Sequence, residues 1–109
     1  MNNTGNLFES LPEAVIDEQF EKLFENNQVL IERIVSFGQS TPKGEWLSQN
    51  RAEWVILLTG SALLFFEDKE EIITMKAGDY IYIPPNSRHR VEMTDKYIKT
   101  VWLAVHFEE

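Results

Sequence analysis

The sequence predicts an all-β protein, a sandwich or barrel with a single hydrophobic core. Eight short segments rich in β-branched and aromatic residues follow one another from residue 29 to the end, with turn residues between them. Almost no helical pattern separates these segments, which argues against a parallel sheet whose strands are joined by helices. A length of 109 residues leaves no room for a second core, so we predict one domain.

The N-terminal region, residues 1–28, has a different pattern. Apolar residues at positions 16, 20, 23 and 24 have the spacing of one helix face, and Asn26-Asn27 is a suitable stop signal. We therefore predict a short helical segment, one or two helices within residues 11–24. This polar and helical segment is expected to pack on a barrel formed by residues 29–109.

From Val29 onward the apolar pattern has a period of two, which is typical of half-buried strands. Turn signals such as Thr59-Gly60, Asp68-Lys69 and Ala77-Gly78 end successive strands. The predicted strands are Val29–Ser36, Glu45–Gln49, Glu53–Thr59, Ser61–Glu67, Glu71–Met75, Asp79–Pro84, His89–Thr94 and Tyr97–Phe107.

Two of the predicted strands, Trp54–Leu58 and Tyr80–Ile83, are apolar on both faces. One face can line the barrel, and the other needs a cover from the N-terminal segment or from a second subunit. Because one short helix would cover too little of this surface, we predict a homodimer.

Composition and charge exclude several classes of function. The net charge of −8 would repel nucleic-acid phosphates, so we expect no nucleic-acid partner. The longest apolar runs are far shorter than the roughly 20 residues of a membrane helix, and no signal-peptide pattern is visible. We therefore expect a cytoplasmic protein with no membrane partner. The absence of cysteine excludes disulfides and thiolate-bound metals.

Two segments resemble the sequence motifs of the cupin superfamily. In Glu53-Trp-Val-Ile-Leu-Leu-Thr-Gly60 a glutamate is followed seven residues later by glycine, as in the second half of the first motif. In the segment from Gly78 to His89 a proline follows Gly78 after five residues, and Asn86 stands where the family has glycine. The chain thus resembles a small single-domain bacterial cupin. The resemblance implies a cupin-type double-stranded β-helix, which is a jelly-roll barrel.

The resemblance also implies a metal site inside the barrel, and here the sequence departs from the family. Metal-binding cupins use two histidines and a glutamate of the first motif with a histidine of the second. Glu53 and His89 match this pattern, but two protein ligands are too few for tight binding. The two missing histidine positions fall on Leu47 and Gln49 or, with a gap one residue longer, on Trp46 and Ser48.

Two other residues could complete a metal site. Gln49 could add a neutral oxygen, and His106 is the only other imidazole in the chain. A set of Glu53, His89 and His106 would be the two-histidine, one-carboxylate arrangement known from iron enzymes. We expect at most a weakly held divalent ion, such as Fe, Mn, Ni or Zn. Structural roles remain open alternatives. Glu53 could cap the turn Asn50-Arg51-Ala52 or pair with Arg51. His89 could be a histidine at the barrel mouth with one satisfied hydrogen bond, and His106 could face solvent.

Strand periodicity and the motif alignment together predict a pocket in the barrel interior. Parity places Glu53 on the inner face, and the expected apolar lining consists of Trp46, Val55, Leu57 and Trp102. The predicted function is therefore the binding of a small polar metabolite. Two alternatives remain open: a metal-dependent cupin enzyme, such as an oxygenase or isomerase, and a non-catalytic interaction protein with a degraded site.

Overall fold

The computed structural model describes residues 3–13 and 16–109, and its eight strands form two antiparallel β-sheets that pack face to face. The strands are β1 (Gln19–Glu25), β2 (Val29–Ser36), β3 (Ala52–Thr59), β4 (Ser61–Phe66), β5 (Glu71–Lys76), β6 (Tyr80–Ile83), β7 (His89–Thr94) and β8 (Thr100–Phe107). One sheet has the order β1-β2-β8-β3-β6 and the other β5-β4-β7. This architecture confirms the predicted all-β jelly-roll class. No helix in the described residues is long and apolar enough to cross a membrane.

The core lies between the two sheets because inward-facing positions alternate with outward-facing ones along each strand. On β4, for example, Leu64 and Phe66 are buried while Leu63 and Phe65 are only half-buried. The buried residues that form the core cluster are Val55, Leu57, Ala62, Leu64, Phe66, Met75, Ile83, Trp102 and Ala104.

The predicted N-terminal helix is wrong for the described residues, since Gln19–Glu25 forms strand β1. Positions 14 and 15 of the predicted helical stretch lie outside the described residues. A β-bulge explains the misleading spacing: between Lys22 and Phe24 the register with β2 shifts, and Leu23 is the extra residue. The helix-like spacing of the apolar residues at positions 16, 20, 23 and 24 therefore comes from a strand that contains a bulge. The predicted boundary at residue 28 falls in the turn between β1 and β2, which pair in one sheet.

The predicted strand Glu45–Gln49 is also wrong. The segment makes one isolated bridge, in which Leu47 and His89 exchange two backbone hydrogen bonds of 2.7 and 3.0 Å. Gly44, just before the segment, has a φ of 85° and turns the chain. The remaining strand predictions agree with the observed elements to within three residues at each end.

Part of the outer face of the five-stranded sheet is covered by the N-terminal segment. The guanidinium of Arg33 on β2 donates hydrogen bonds to the carbonyl oxygens of Leu7 (3.1 Å) and Glu9 (2.7 Å). It also forms an ion pair of 3.0 Å with Glu21 on β1. Arg33 is buried by these contacts and ties residues 7–9 to the sheet.

An apolar row on the same outer face has no such cover in the described residues. Cross-strand pairing joins one residue of each strand into a continuous line across the whole sheet. The two ends of the line are exposed, with 52% of Phe24 and 44% of Tyr82 open to solvent. The line consists of Phe24, Ile31, Val105, Trp54 and Tyr82.

The predicted homodimer is expected to use this row, because pairing two such faces would remove apolar surface from water. Light scattering should give about twice the chain mass of 12.7 kDa at micromolar concentrations. Replacing Val105 by lysine should restore the monomer mass, since it puts a charge at the centre of the row. The control is Ile72→Lys on β5, an exposed apolar residue of the other sheet, which should leave the dimer intact. A monomer mass for the unmodified chain would contradict the prediction.

Candidate functional site

A cavity of about 310 Å³ opens inside the barrel between the two sheets. Its walls are mainly apolar, and a group of polar side chains lies together on strands of the five-stranded sheet and on the neighbouring loop. The described residues that line it are Glu18, Phe20, Glu32, Ile34, Leu47, Ser48, Gln49, Glu53, Val55, Leu64, Ile83, His89, Val91, Trp102 and His106.

The sheet register brings two predicted site residues face to face. Glu53 on β3 lies directly opposite His106 on β8, and side chains of paired residues project to the same face. The next strand, β2, contributes Glu32, whose Oε1 lies 2.9 Å from Nε2 of His106. A carboxylate only accepts, so Nε2 carries the hydrogen of this bond. Glu32 therefore fixes the orientation of the imidazole.

Glu53 lies beside this pair and is mostly buried. One amide N–H of Gln49 donates to Oε1 of Glu53 at 3.1 Å. Burial raises the pKa of the Glu53 carboxyl above its usual value, and the nearby charge of Glu32 raises it further. His106 and His89 pull in the opposite direction without cancelling the effect of burial. The carboxyl is thus shifted towards its neutral form.

His89 approaches the cavity from the other sheet. Its ring stacks on Phe66 with a centroid distance of 5.4 Å, and only 6% of the residue is exposed. The Nδ1 atom lies 3.0 Å from the carbonyl oxygen of Ser87. A carbonyl only accepts, so Nδ1 carries a hydrogen and the neutral ring keeps its lone pair on Nε2.

These donors do not form a ready metal site. Among the described residues, no three His, Asp or Glu side chains are grouped so that they could hold one ion. The geometry gives the reason: His106 directs Nε2 at Glu32, and Gln49 turns an amide N–H rather than its oxygen towards Glu53. His89 is the exception, because a histidine whose Nδ1–H is held by a carbonyl resembles a metal ligand. The set as a whole does not fit the ion that the family resemblance implies.

The predicted apolar lining is found in part. Val55 and Trp102 line the cavity, while Leu57 is completely buried deeper in the core. Trp46 is not among the described residues that line the cavity. Leu47 takes part in the bridge to His89 and faces the cavity, which turns Trp46 to the outside. There its ring lies under the guanidinium groups of Arg88 and Arg90, at 5.2 and 4.6 Å.

Glu18, Phe20 and Glu32 are among the lining residues that sequence reasoning missed. Glu18 lies next to β1 and Phe20 lies on it. Because this strand was predicted as a helix, the face to which each side chain points could not be predicted. Glu32 had a usable signal, because it shares the inward face of β2 with the apolar residue Ile34. A charged residue at an inward strand position is rare unless it has a partner.

Known proteins share this architecture. A family model described as a cupin domain matches residues 33–106. A solved structure from Ralstonia eutropha JMP134, described as a putative mannose-6-phosphate isomerase, is 41% identical with a TM-score of 0.95. That match covers 99% of this chain and 100% of the other. No curated protein sequence is similar enough to count as a match.

Two further structures are similar in fold alone. A cupin superfamily protein from Desulfitobacterium hafniense DCB-2 is 17% identical with a TM-score of 0.77, over 100% of this chain and 94% of the other. The polyketide cyclase RemF from Streptomyces resistomycificus is 21% identical with a TM-score of 0.69, over 84% of this chain and 66% of the other. The family model covers well over half of the chain, and the motifs around Glu53 and His89 lie inside it. The chain therefore belongs to the cupin domain family.

Proposed function

We propose that this protein binds a small organic molecule inside its barrel. The observation that carries the proposal is the cavity itself, which combines about 310 Å³ of space and apolar walls with a cluster of buried polar groups. Sites for small molecules have this character, and the volume lies at the small end of their usual range. The cavity suits a compact molecule with an apolar body and one polar end.

The polar cluster supports the proposal because it is held in place before any ligand arrives. His106 is oriented by Glu32, Glu53 by Gln49, and His89 by the carbonyl of Ser87. Groups that are already ordered lose little entropy on binding. The Nε2 atom of His89 has no protein partner in the described part of the chain and is not sealed from open space. A ligand group would supply that partner.

A catalytic role is the second candidate, and one observation favours it. A carboxyl with a raised pKa, Glu53, lies beside an imidazole that is oriented by a second carboxylate. Pairs of titratable groups with different environments are typical of general acid–base catalysis. The structure that is 41% identical is described as a putative isomerase, and proton transfer by Glu53 or His106 would suit that kind of reaction.

The proposal is tested by ligand-detected NMR with a set of small fragments of mixed charge. We expect some fragments to bind with dissociation constants of about 1 mM or below, as is usual for small ligands in a preformed pocket. Ile34→Trp should fill the cavity and weaken these fragments at least about tenfold. Ile72→Trp, on the exposed face of β5, is the matched control and should change nothing. The absence of binding, or equal binding to Ile34→Trp, would contradict the proposal.

Metal analysis of freshly purified protein separates this proposal from a metal-dependent enzyme. We expect well below one equivalent of Fe, Mn, Ni or Zn, because the described donors do not converge on one point. Near-stoichiometric metal that is lost in both His89→Ala and Glu53→Gln would instead favour the metal-dependent enzyme. In that case His106→Ala shows whether β8 contributes a ligand.

A further inference from the structure

We infer that the ligand of this cavity carries a hydrogen-bond-donating cation, such as a protonated amine, at the end that reaches Glu53 and His89. The inference rests on the proposed function and names the chemical class of the molecule bound. It is carried by the charge balance of the cavity wall and by an independent account of its hydrogen-bond donors.

The charge balance of the wall is negative. The described lining contains three glutamates, Glu18, Glu32 and Glu53, and no lysine or arginine. Of these three, only Glu32 has an ionisable partner at hydrogen-bond distance among the described residues, and that partner is His106. Glu18 accepts from the hydroxyl of Ser36 at 2.6 Å, and Glu53 accepts from an amide, so both rely on neutral donors. Burial raises the pKa of the Glu53 carboxyl; a cation beside it would offset that effect by stabilising the carboxylate, whereas an anion would add to it.

The hydrogen-bond donors of the wall are mostly used within the protein. Nδ1–H of His89 is held by the Ser87 carbonyl, and Nε2–H of His106 is held by Glu32. The indole N–H of Trp102 donates to the Ser36 hydroxyl at 3.3 Å. Each of these hydrogens is therefore already bonded to an acceptor within the protein.

The atoms left facing the cavity are therefore mainly acceptors. Among the described residues, Nε of Arg33 is the only side-chain nitrogen or oxygen that is sealed from open space and lacks a hydrogen-bond partner. Nε2 of His89 also lacks a partner, and it therefore borders open space. In the neutral imidazole this atom is a lone-pair acceptor, and both His89 and Glu53 line the cavity. The donors that remain, the Ser48 hydroxyl and the second amide hydrogen of Gln49, are neutral.

An ammonium group suits both the carboxyl groups of the wall and its unpaired hydrogen-bond acceptors. It has three hydrogens to donate and a positive charge, whereas a carboxylate or phosphate would bring further acceptors and further negative charge. Phe20 and Trp102 line the same cavity, and their ring faces can attract a cation or cover the apolar body of the ligand. The cavity thus selects by charge at one end and by shape along the rest.

The test compares three compounds of nearly equal size: 2-phenylethylamine, 2-phenylethanol and phenylacetate. Calorimetry at neutral pH should show the amine binding about tenfold more tightly than the alcohol, because charge-assisted hydrogen bonds are stronger than neutral ones. Phenylacetate should bind more weakly than the alcohol. Equal affinities, or tighter binding of phenylacetate, would overturn the inference while leaving the proposed function intact. Failure of the amine to bind would also overturn it, and the fragment test with Ile34→Trp then decides the proposed function separately.

Two variants locate the effect in the cavity. Glu53→Gln keeps an oxygen that can accept from Gln49 but cannot carry a negative charge, so it should weaken the amine severalfold and leave the alcohol unchanged. Glu71→Gln, on the exposed face of β5, removes the same charge far from the lining and should leave both affinities unchanged. An equal loss in both variants would show only long-range attraction, and it would overturn the assignment to the cavity.

Discussion

Replacing Gly60 by alanine is expected to destabilise the protein by about 3 kcal/mol or more, which is a large part of the stability of a small domain. Gly60 has a φ of 87°, in the region that side chains disfavour. An added Cβ would lie 2.2 Å from Oγ1 and 2.6 Å from Cα of Thr100. Thr100 is completely buried at the start of β8, so its backbone cannot retreat without disturbing the sheet.

Gly78→Ala provides the matched control, since Gly78 has a similar φ of 93° but no atom within 4 Å of an added Cβ. It should therefore show only the backbone cost of about 1–2 kcal/mol. The free energies of unfolding come from urea titrations with an unchanged m-value. Equal losses of unfolding free energy in the two variants would mean that the close approach of Gly60 to Thr100 does not affect stability.

Leu57→Ala is expected to cost about 3–4 kcal/mol, because truncating a fully buried leucine removes its contacts and leaves a cavity. The neighbouring residue Leu58 has the same side chain but is only half-buried, at the register shift between β3 and β8. Leu58→Ala should therefore cost less than half as much. The comparison tests whether Leu57 is the buried residue of the two, and a larger loss at Leu58 would contradict this.

Much of the barrel could be predicted because its signals are local. A period of two identified the strand at Glu53–Thr59, which the structure extends by one residue to Ala52. The turn chemistry of Gly60, Gly78 and Asn86 was readable for the same reason, and all three residues have positive φ. Parity along β3 then placed Glu53 and Val55 on the face that lines the cavity.

The rest depended on contacts between residues distant in sequence. Strand β1 exists because its backbone completes the hydrogen bonds of β2, and its bulge mimicked the spacing of a helix. That His106 would lie opposite Glu53 followed from the register of β8 on β3, which no local pattern specifies. The bond from His106 to Glu32 spans 74 residues of chain, and it redirected a predicted metal ligand towards another carboxylate.

Three polar residues of the cavity wall, Glu32, His106 and Glu53, project from β2, β8 and β3, which are adjacent strands of one sheet. Their spacing is therefore set by backbone hydrogen bonding rather than by loops. Each such position can accept a different side chain while the scaffold keeps its shape, so a few substitutions could change what the barrel recognises. Divergence within such a lineage can accordingly alter ligand preference faster than architecture. Similarity of backbone, even at a TM-score of 0.95, then carries little information about a shared substrate.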